Sequence, residues 1–259
     1  MAREDPPAWC ASASAVAHVL VEVPAGEELG TARVIDGPDG HHLQRARRLG
    51  PGEALTVADG RGAWRLYVVE AVEPGRLRLA ASGPERREPV LRPRLAVAFA
   101  LTKGQKPETV VTRLTELGVD EIVVVQARRS MVRWRGDRGP AALARLERVA
   151  REAALQCRRA RLPVLVGPCD LAEIAARPGV VLAERAEAGP APGPPDQGWT
   201  LVVGPEGGFD DEERALLAGA PRLPVGPHVL RAETATVAGA ALLTAARRGG
   251  LTTGPDHGP

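Results

Sequence analysis

The hydrophobic pattern of this chain changes in kind near residue 90. Before that point, short apolar runs are separated by turn residues, as in Leu55–Ala58, Trp64–Val72 and Leu77–Ala81. After Gly83–Pro93, which is rich in proline, arginine and glutamate, strand-like runs alternate with helical ones, beginning with Leu95–Leu101. Short strands with close turns predict a small β-barrel, whereas the alternation predicts a parallel sheet with crossover helices. The chain is therefore predicted to be an α/β protein that carries an N-terminal β-domain.

The same pattern gives the domain boundaries. We place the barrel at residues 16–88 and the α/β domain at residues 93–250, with an N-terminal extension at 1–15 and a C-terminal tail at 251–259. Within the barrel, Gly37-Pro38-Asp39-Gly40 is expected to be a turn. Within the α/β domain, a long helix is expected at about 141–161 and a last helix at about 234–248.

Basic residues are concentrated in the first two thirds of the chain. Residues 1–161 hold 27 lysines and arginines against 20 acidic residues, whereas residues 162–259 hold 7 against 12. Between Ile122 and Arg161, eleven arginines meet only three acidic residues. This distribution indicates a surface for phosphate backbones, and a solvated arginine-rich face is the alternative.

The cysteines and the hydropathy of the chain argue against a disulfide-rich, a metal-binding and a membrane protein. Cys10, Cys157 and Cys169 are an odd number without C-x-x-C spacing, which argues against a disulfide framework and against a structural metal site. No apolar run approaches the roughly 20 residues of a membrane helix, and no signal-peptide pattern precedes Val16. The expected location is the cytoplasm, with no membrane partner and no metal.

The stretch after residue 200 contains a candidate ligand loop. An apolar strand runs into Gly204-Pro205-Glu206-Gly207-Gly208, and an acidic helix start follows at Asp210–Glu213. Glycines at the carboxyl end of a parallel strand let the backbone approach a ligand closely. A phosphate cradle fits poorly, because neither phosphate-loop pattern occurs and the carboxylates would repel an anion. The loop suits a neutral or cationic ligand such as S-adenosylmethionine, and a well-capped tight turn is the alternative.

Two further segments contain candidate functional side chains. Arg231 directly precedes the last helix, where a cation opposes the helix dipole, so it is a candidate for ligand contact. Its alternative is a structural ion pair with Glu233 or Glu206. Residues Glu152, Gln156 and Arg159 are spaced to share one polar helix face, which could contact RNA or a partner subunit or could simply be solvated.

Hydrolytic chemistry finds no support in the sequence. The four serines include no G-x-S-x-G elbow, and the five histidines form no H-E-x-x-H pair. Methyl transfer needs no protein nucleophile, because the sulfonium of S-adenosylmethionine is itself the activated donor. A chain without an obvious catalytic nucleophile is compatible with that reaction.

Four motifs occur together in a fixed order: Leu101–Lys103 with Leu114–Val119, Glu152–Gln156 with Arg159, Gly204–Gly208, and Leu230–Ala235. In order and spacing they resemble the 16S ribosomal RNA uridine-N3 methyltransferase family of the SPOUT superfamily. The segment from His41 to Gly60 resembles the PUA-like RNA-binding domain of that family. The resemblance implies a deep trefoil knot in the α/β domain and an obligate homodimer, with the small ribosomal subunit as substrate.

The resemblance also implies roles for particular residues. S-adenosylmethionine is expected to contact Leu182, Gly204, Pro205, Glu206, Gly207, Gly208, Val225, Gly226, Val229, Leu230 and Thr234. Arg231 would stabilise negative charge on the uracil carbonyls, and Glu206 or Glu233 would orient the cofactor or accept the N3 proton. RNA is expected to contact Lys103, Arg128, Arg129, Gln156 and Arg159. A ribose 2′-O methyltransferase and a non-catalytic RNA-binding protein are the rival interpretations.

Overall fold

The computed structural model describes residues 15–45, 47–101, 106–134, 136, 138–185, 193 and 196–248. These residues form two compact units. The N-terminal unit contains the described residues up to 90 together with residues 154–162, and the C-terminal unit contains residues 91–153 and those from 163 onward. The chain therefore enters the N-terminal unit twice. Lys103 lies outside the described residues.

The N-terminal unit contains one mixed sheet and one helix. Its elements are β1 (Ala17–Leu20), β2 (Ala32–Ile35), α1 (Gly37–Arg45), β3 (Ala54–Ala58), β4 (Ala63–Glu73), β5 (Arg76–Ala81) and β6 (Arg86–Arg87). The strand order is β1-β3-β4-β5-β2, with β6 beside β4, and all pairs are antiparallel except β1 with β3. Leu55, Tyr67 and Leu77 are fully buried in its core.

The turn predicted at Gly37–Gly40 is wrong, because these residues begin helix α1. Pro38 suits a first helical turn, since its fixed φ is compatible with the helix and its missing N–H had no helical partner there. Gly40 packs against the hairpin between β4 and β5. A Cβ atom at this position would lie 2.5 Å from the carbonyl oxygen of Gly75, so the helix approaches the hairpin this closely only with glycine.

The long helix predicted at about 141–161 also ends earlier than expected. Helix α3 spans Arg138–Cys157, and Arg158 has a φ of 59°, which terminates it. The last turn of α3 and the chain that follows it, residues 154–162, belong to the N-terminal unit. There Ala154 and Ala160 are buried with Leu20, Ala58 and Trp64 in one cluster. The Glu88 carboxylate holds this segment by accepting hydrogen bonds from the backbone N–H groups of Ala160 and Arg161, at 2.6 and 3.0 Å.

The C-terminal unit is a parallel sheet with helices on both faces, as predicted. The strands are β7 (Leu95–Ala100), β8 (Glu121–Val125), β9 (Val164–Cys169), β10 (Val180–Glu184), β11 (Trp199–Val203) and β12 (Arg222–Pro224). They are ordered β12-β10-β11-β7-β8-β9. The helices are α2 (Lys106–Glu116), α3, α4 (Leu171–Ala175), α5 (Asp211–Leu216) and α6 (Ala232–Arg247).

Alternate residues of β7 show how the sheet is covered. Leu95, Val97 and Phe99 face a core that includes residues of α2, α3 and α6. Ala98 and Ala100 face the opposite core, which includes residues of α4. Because both faces are covered, β7 is apolar throughout, and the carboxyl ends of the strands are left as the edge where loops can form a site.

Candidate active site

A cavity of about 440 Å³ lies at the carboxyl ends of β10 and β11. Three segments far apart in the sequence form it: the end of β10, the loop from β11 to α5, and the loop from β12 to α6. Its lining residues include Leu182, Glu184, Arg185, Gly204, Pro205, Glu206, Gly208, Phe209, Arg214, Arg222, Val225, His228, Val229 and Leu230. In open α/β sheets this is the edge at which ligands bind.

Most of the expected cofactor contacts lie around this cavity. Leu182, Gly204, Pro205, Glu206, Gly208, Val225, Val229 and Leu230 line it. Gly207, Gly226 and Thr234 are not among its lining residues. A Cβ atom on Gly207 would meet the Cβ of Arg129 at 3.5 Å, so this glycine faces the loop after β8 rather than the cavity.

The loop from Gly204 to Gly208 owes its shape to its glycines. Gly208 has a φ of +68°, a conformation that side-chain-bearing residues rarely adopt, and its N–H donates to the carbonyl of Pro205 at 2.8 Å. A Cβ atom on Gly204 would lie 3.0 Å from the ring of Phe209. Glycine at position 204 therefore lets the aromatic ring close against the strand end beside the cavity.

Helix α5 is capped by its own carboxylates. Asp210 and Glu213 form a reciprocal capping box, in which the Asp210 carboxylate accepts from the Glu213 N–H at 2.8 Å. That hydrogen bond holds the pKa of the Asp210 carboxyl below its usual value. The backbone N–H of Arg128 donates to Glu213 at 2.7 Å, and its guanidinium forms ion pairs with Asp210 and Glu212. The acidic helix start is thus bound to the loop after β8.

Arg231 lies beside the cavity rather than in its wall. It is the N-cap residue of α6, its neighbours Leu230 and Ala232 line the cavity, and its side chain is 74% exposed. Its guanidinium lies 3.8 Å from the Glu206 carboxylate. Of the two ion pairs considered from the sequence, the structure contains the one with Glu206. Glu233 lies in the first turn of the same helix and is half-buried.

Several cavity residues were not identified from the sequence. Glu184 and Arg222 form an ion pair at 3.6 Å, because β10 and β12 are neighbours in the sheet. Arg214 donates to the carbonyl of Phe209 at 3.1 Å and lines the same wall. The pairing of Glu184 with Arg222 depends on the sheet order, which the local sequence pattern does not contain.

The residues expected to contact RNA have different environments. Arg129 donates to the carbonyl of Gly207 at 3.3 Å, so it lies against the glycine loop, as Arg128 lies against α5. Gln156 is exposed near the end of α3. The polar stripe predicted to join Gln156 to Arg159 is wrong, because the helix ends before Arg159. The Arg159 side chain is only 7% exposed and lies 4.0 Å from the Glu88 carboxylate.

Comparison with known proteins decides the family. A sequence model described as an RNA methyltransferase domain matches residues 90–244, and one described as an RNA methyltransferase PUA domain matches residues 35–80. The ribosomal RNA small subunit methyltransferase E of Mycobacterium bovis is 38% identical to this chain over 221 residues, which cover 80% of this chain and 84% of that protein. The chain belongs to this RNA methyltransferase family.

Solved structures agree with this RNA methyltransferase assignment. A methyltransferase from Legionella pneumophila, in complex with S-adenosylmethionine, has a TM-score of 0.73 and 26% identity, covering 89% of this chain and 96% of its own. A ribosomal RNA small subunit methyltransferase E from Neisseria gonorrhoeae has a TM-score of 0.74 and 23% identity, covering 88% and 97%, and supports the fold. The predicted enzyme class and the α/β fold with an N-terminal PUA domain are confirmed.

The described residues contain neither a membrane-spanning helix nor a cluster of metal ligands. None of the helices in this part of the chain is both long and apolar enough to cross a bilayer. Across the same residues, no group of three or more histidine, cysteine, aspartate or glutamate side chains is arranged to hold a metal ion.

Proposed function

We propose that this RNA methyltransferase transfers a methyl group from S-adenosylmethionine to N3 of a uridine in 16S ribosomal RNA. The observation that carries the proposal is the cavity of about 440 Å³, because it brings the motifs Gly204–Gly208 and Leu230–Ala235 together at the edge of the sheet where ligands bind. The Mycobacterium bovis relative is named for its action on small-subunit ribosomal RNA, and the Legionella structure contains the cofactor.

The cavity suits this cofactor chemically. Apolar side chains, such as those of Leu182 and Val225, offer a surface for the adenine ring, and the glycine loop exposes backbone groups for hydrogen bonds. Glu206 supplies negative charge for a ligand with sulfonium and ammonium groups. When bound, the cofactor supplies an activated methyl group on sulfur. Of the remaining expected contacts, Gly207 and Gly226 are proposed to act through the shape of the same loops, and Thr234 through the first turn of α6.

The protein's own contribution is alignment and charge stabilisation. Uracil N3–H is weakly acidic, so the site must favour the anion. We assign to Arg231 the stabilisation of the negative charge that develops on the uracil carbonyls. Its guanidinium is exposed beside the cavity, and it can reach the substrate by breaking only its exposed ion pair with Glu206. Glu206 or Glu233 orients the cofactor or accepts the proton.

The RNA-facing surface is proposed to include Lys103, Arg128, Arg129 and Gln156. Arg128 and Arg129 lie beside the glycine loop, so they would place RNA next to the cavity. Arg159 is better explained as a structural residue of the N-terminal unit, since it is buried beside Glu88. The proposed knot in residues 93–250, the homodimer and a cytoplasmic location complete the assignment.

Mapping of methylated nucleotides by mass spectrometry tests the reaction. 16S ribosomal RNA from cells without this gene should lack one 3-methyluridine, and purified protein with S-adenosylmethionine should restore it on isolated small subunits. A lost ribose methyl group instead would support the 2′-O rival. Calorimetric titration addresses the other rival, because a non-catalytic RNA-binding protein would give no heat with S-adenosylmethionine.

A further inference from the structure

A second cavity lies in the loop between β8 and α3, outside the proposed cofactor site. It has a volume of about 360 Å³ and is lined by Ser130, Met131, Arg133 and Arg138. The loop leaves the carboxyl end of β8, and its residue Arg129 contacts the Gly207 carbonyl. The cavity is therefore on the part of the C-terminal unit that borders the glycine loop.

Ser130 contributes a hydroxyl group whose hydrogen-bonding capacity is not satisfied within the described residues. The residue is 6% exposed, and its hydroxyl oxygen is buried without a hydrogen-bond partner among the described residues. Leaving a hydroxyl in this state costs roughly 1–3 kcal/mol. Because Ser130 also lines the cavity, an acceptor bound there is positioned to satisfy its O–H group.

The charges around the cavity favour an anion. Arg133 and Arg138 are exposed, and neither forms an ion pair with a carboxylate of the described residues, in contrast to Arg128 with its two acidic partners. Arg138 also begins α3, a helix of 20 residues whose first turn contains no acidic side chain. The N-terminal dipole of such a helix attracts negative charge.

We propose that Ser130, Arg133 and Arg138 bind a backbone phosphate of the substrate RNA. The identity of the anion rests on the proposed function, which supplies a polyanionic substrate, whereas the site itself rests on the buried hydroxyl, the two arginines and the helix terminus. Met131, whose exposed fraction is 69%, offers apolar area beside the phosphate for a ribose or base. The site would hold the RNA next to the glycine loop without reading its sequence.

The salt dependence of RNA binding tests the arginines. The probe is a short single-stranded RNA, and purified small subunits serve as a second substrate. Each phosphate contact contributes roughly 0.7 to the slope of log affinity against log salt for single strands, so Arg138→Gln should make the slope shallower by about that amount. Arg148→Gln is the matched control, because Arg148 is an exposed arginine of the same helix about 15 Å further along. It should leave the slope nearly unchanged.

Ser130→Ala separates binding from folding. It removes a buried hydroxyl that has no partner in the protein, so the melting temperature should stay constant or rise, while RNA affinity should fall by roughly three- to tenfold. Affinity for S-adenosylmethionine should stay at the wild-type value, since Ser130 does not line the cofactor cavity. A lowered melting temperature with unchanged RNA affinity would show that the hydroxyl is structural and overturn the site.

Two other outcomes are informative. Equal salt slopes for Arg138→Gln and wild type, or a change in oligomeric state instead of the slope, would overturn the phosphate site. Loss of affinity in Ser130→Ala and Arg138→Gln, in a protein that binds RNA but never methylates small subunits, would support the phosphate site while the proposed reaction fails.

Discussion

At the scale of single residues, a substitution of Arg231 is expected to slow catalysis without lowering the stability of the fold. It opposes the dipole of α6, and its ion pair with Glu206 is largely exposed, a type worth about 0–1 kcal/mol. Arg231→Ala should therefore melt near the wild-type temperature. If the guanidinium stabilises the uracil anion, single-turnover methylation at saturating cofactor should slow by roughly 10²–10³-fold, as for comparable electrostatic deletions.

Glu206→Gln provides the comparison for this prediction. It breaks the same ion pair but leaves the guanidinium in place, so Glu206→Gln and Arg231→Ala should melt at the same temperature if that pair is the only structural contact of Arg231. An Arg231→Ala protein that methylates at the normal rate, or melts several degrees early, would return Arg231 to a structural role.

Two glycines of the same loop make a matched pair. A methyl group on Gly204 would press on the Phe209 ring at 3.0 Å beside the cavity, whereas one on Gly207 would make an ordinary contact with Arg129 at 3.5 Å. Gly204→Ala should therefore weaken binding of S-adenosylmethionine in calorimetric titration clearly more than Gly207→Ala. Equal affinities would mean that Phe209 yields easily and that the glycine at 204 is not required for the cavity.

The sequence identified the glycine loop and Arg231 because both signals are local: glycines after an apolar strand, and a cation where the helix dipole disfavours one. Glu184 and Arg222 were missed, since only the order of the sheet brings them together. Arg159 was misplaced for a related reason. Its spacing fits a helix face, but the left-handed conformation of Arg158 ends the helical path first.

At the scale of elements, the best-predicted ones were long apolar strands such as β7 and β11, because burial on both faces makes them continuous apolar runs. Helix α1 was missed, since Gly-Pro-Asp-Gly is typical of turns and the helix forms where it packs on the β4–β5 hairpin. Such tertiary packing outweighs local preference and cannot be recognised from a short window of sequence.

The packing of β1 against residues 154–162 predicts sensitivity to acid. His18 is buried, with Nδ1 2.7 Å from the Thr56 hydroxyl and Nε2 3.3 Å from the Arg159 carbonyl, and burial lowers its pKa to about 4. Since the unfolded chain takes up a proton near pH 6.5 and the folded one only near 4, stability is full above 6.5 and falls between these values, by roughly 3 kcal/mol.

Urea denaturation at pH 7 and pH 4.5 measures this loss. His18→Gln should be less stable at pH 7 but should lose clearly less than the wild type on acidification, because the titrating group is absent. His42→Gln, on exposed residue 42 of α1, is the matched control and should keep the wild-type pH dependence. An unchanged pH dependence in His18→Gln would place the acid sensitivity elsewhere.

At the scale of the whole molecule, the proposed homodimer gives a direct measurement. Helix α6 is rich in alanine, and its buried residues Thr236, Gly239 and Leu243 face the core, while Val237, Ala238 and Ala241 are only partly covered in the single chain. Small residues allow close packing of a second copy. Light scattering at micromolar concentration should give about twice the mass of the 27.2 kDa chain, and a monomeric mass would contradict the proposed homodimer.

The N-terminal unit is formed by two separate segments of the chain, so it cannot be completed early in translation. When residue 90 has emerged, Leu20 and Trp64 still lack Ala154 and Ala160, the neighbours that complete their cluster. At about 5–20 residues per second, the missing segment arrives roughly 4–14 s later. During that interval the nascent unit exposes apolar surface, so the first-made part of the chain is completed only after residues 91–153 of the second unit have been synthesised.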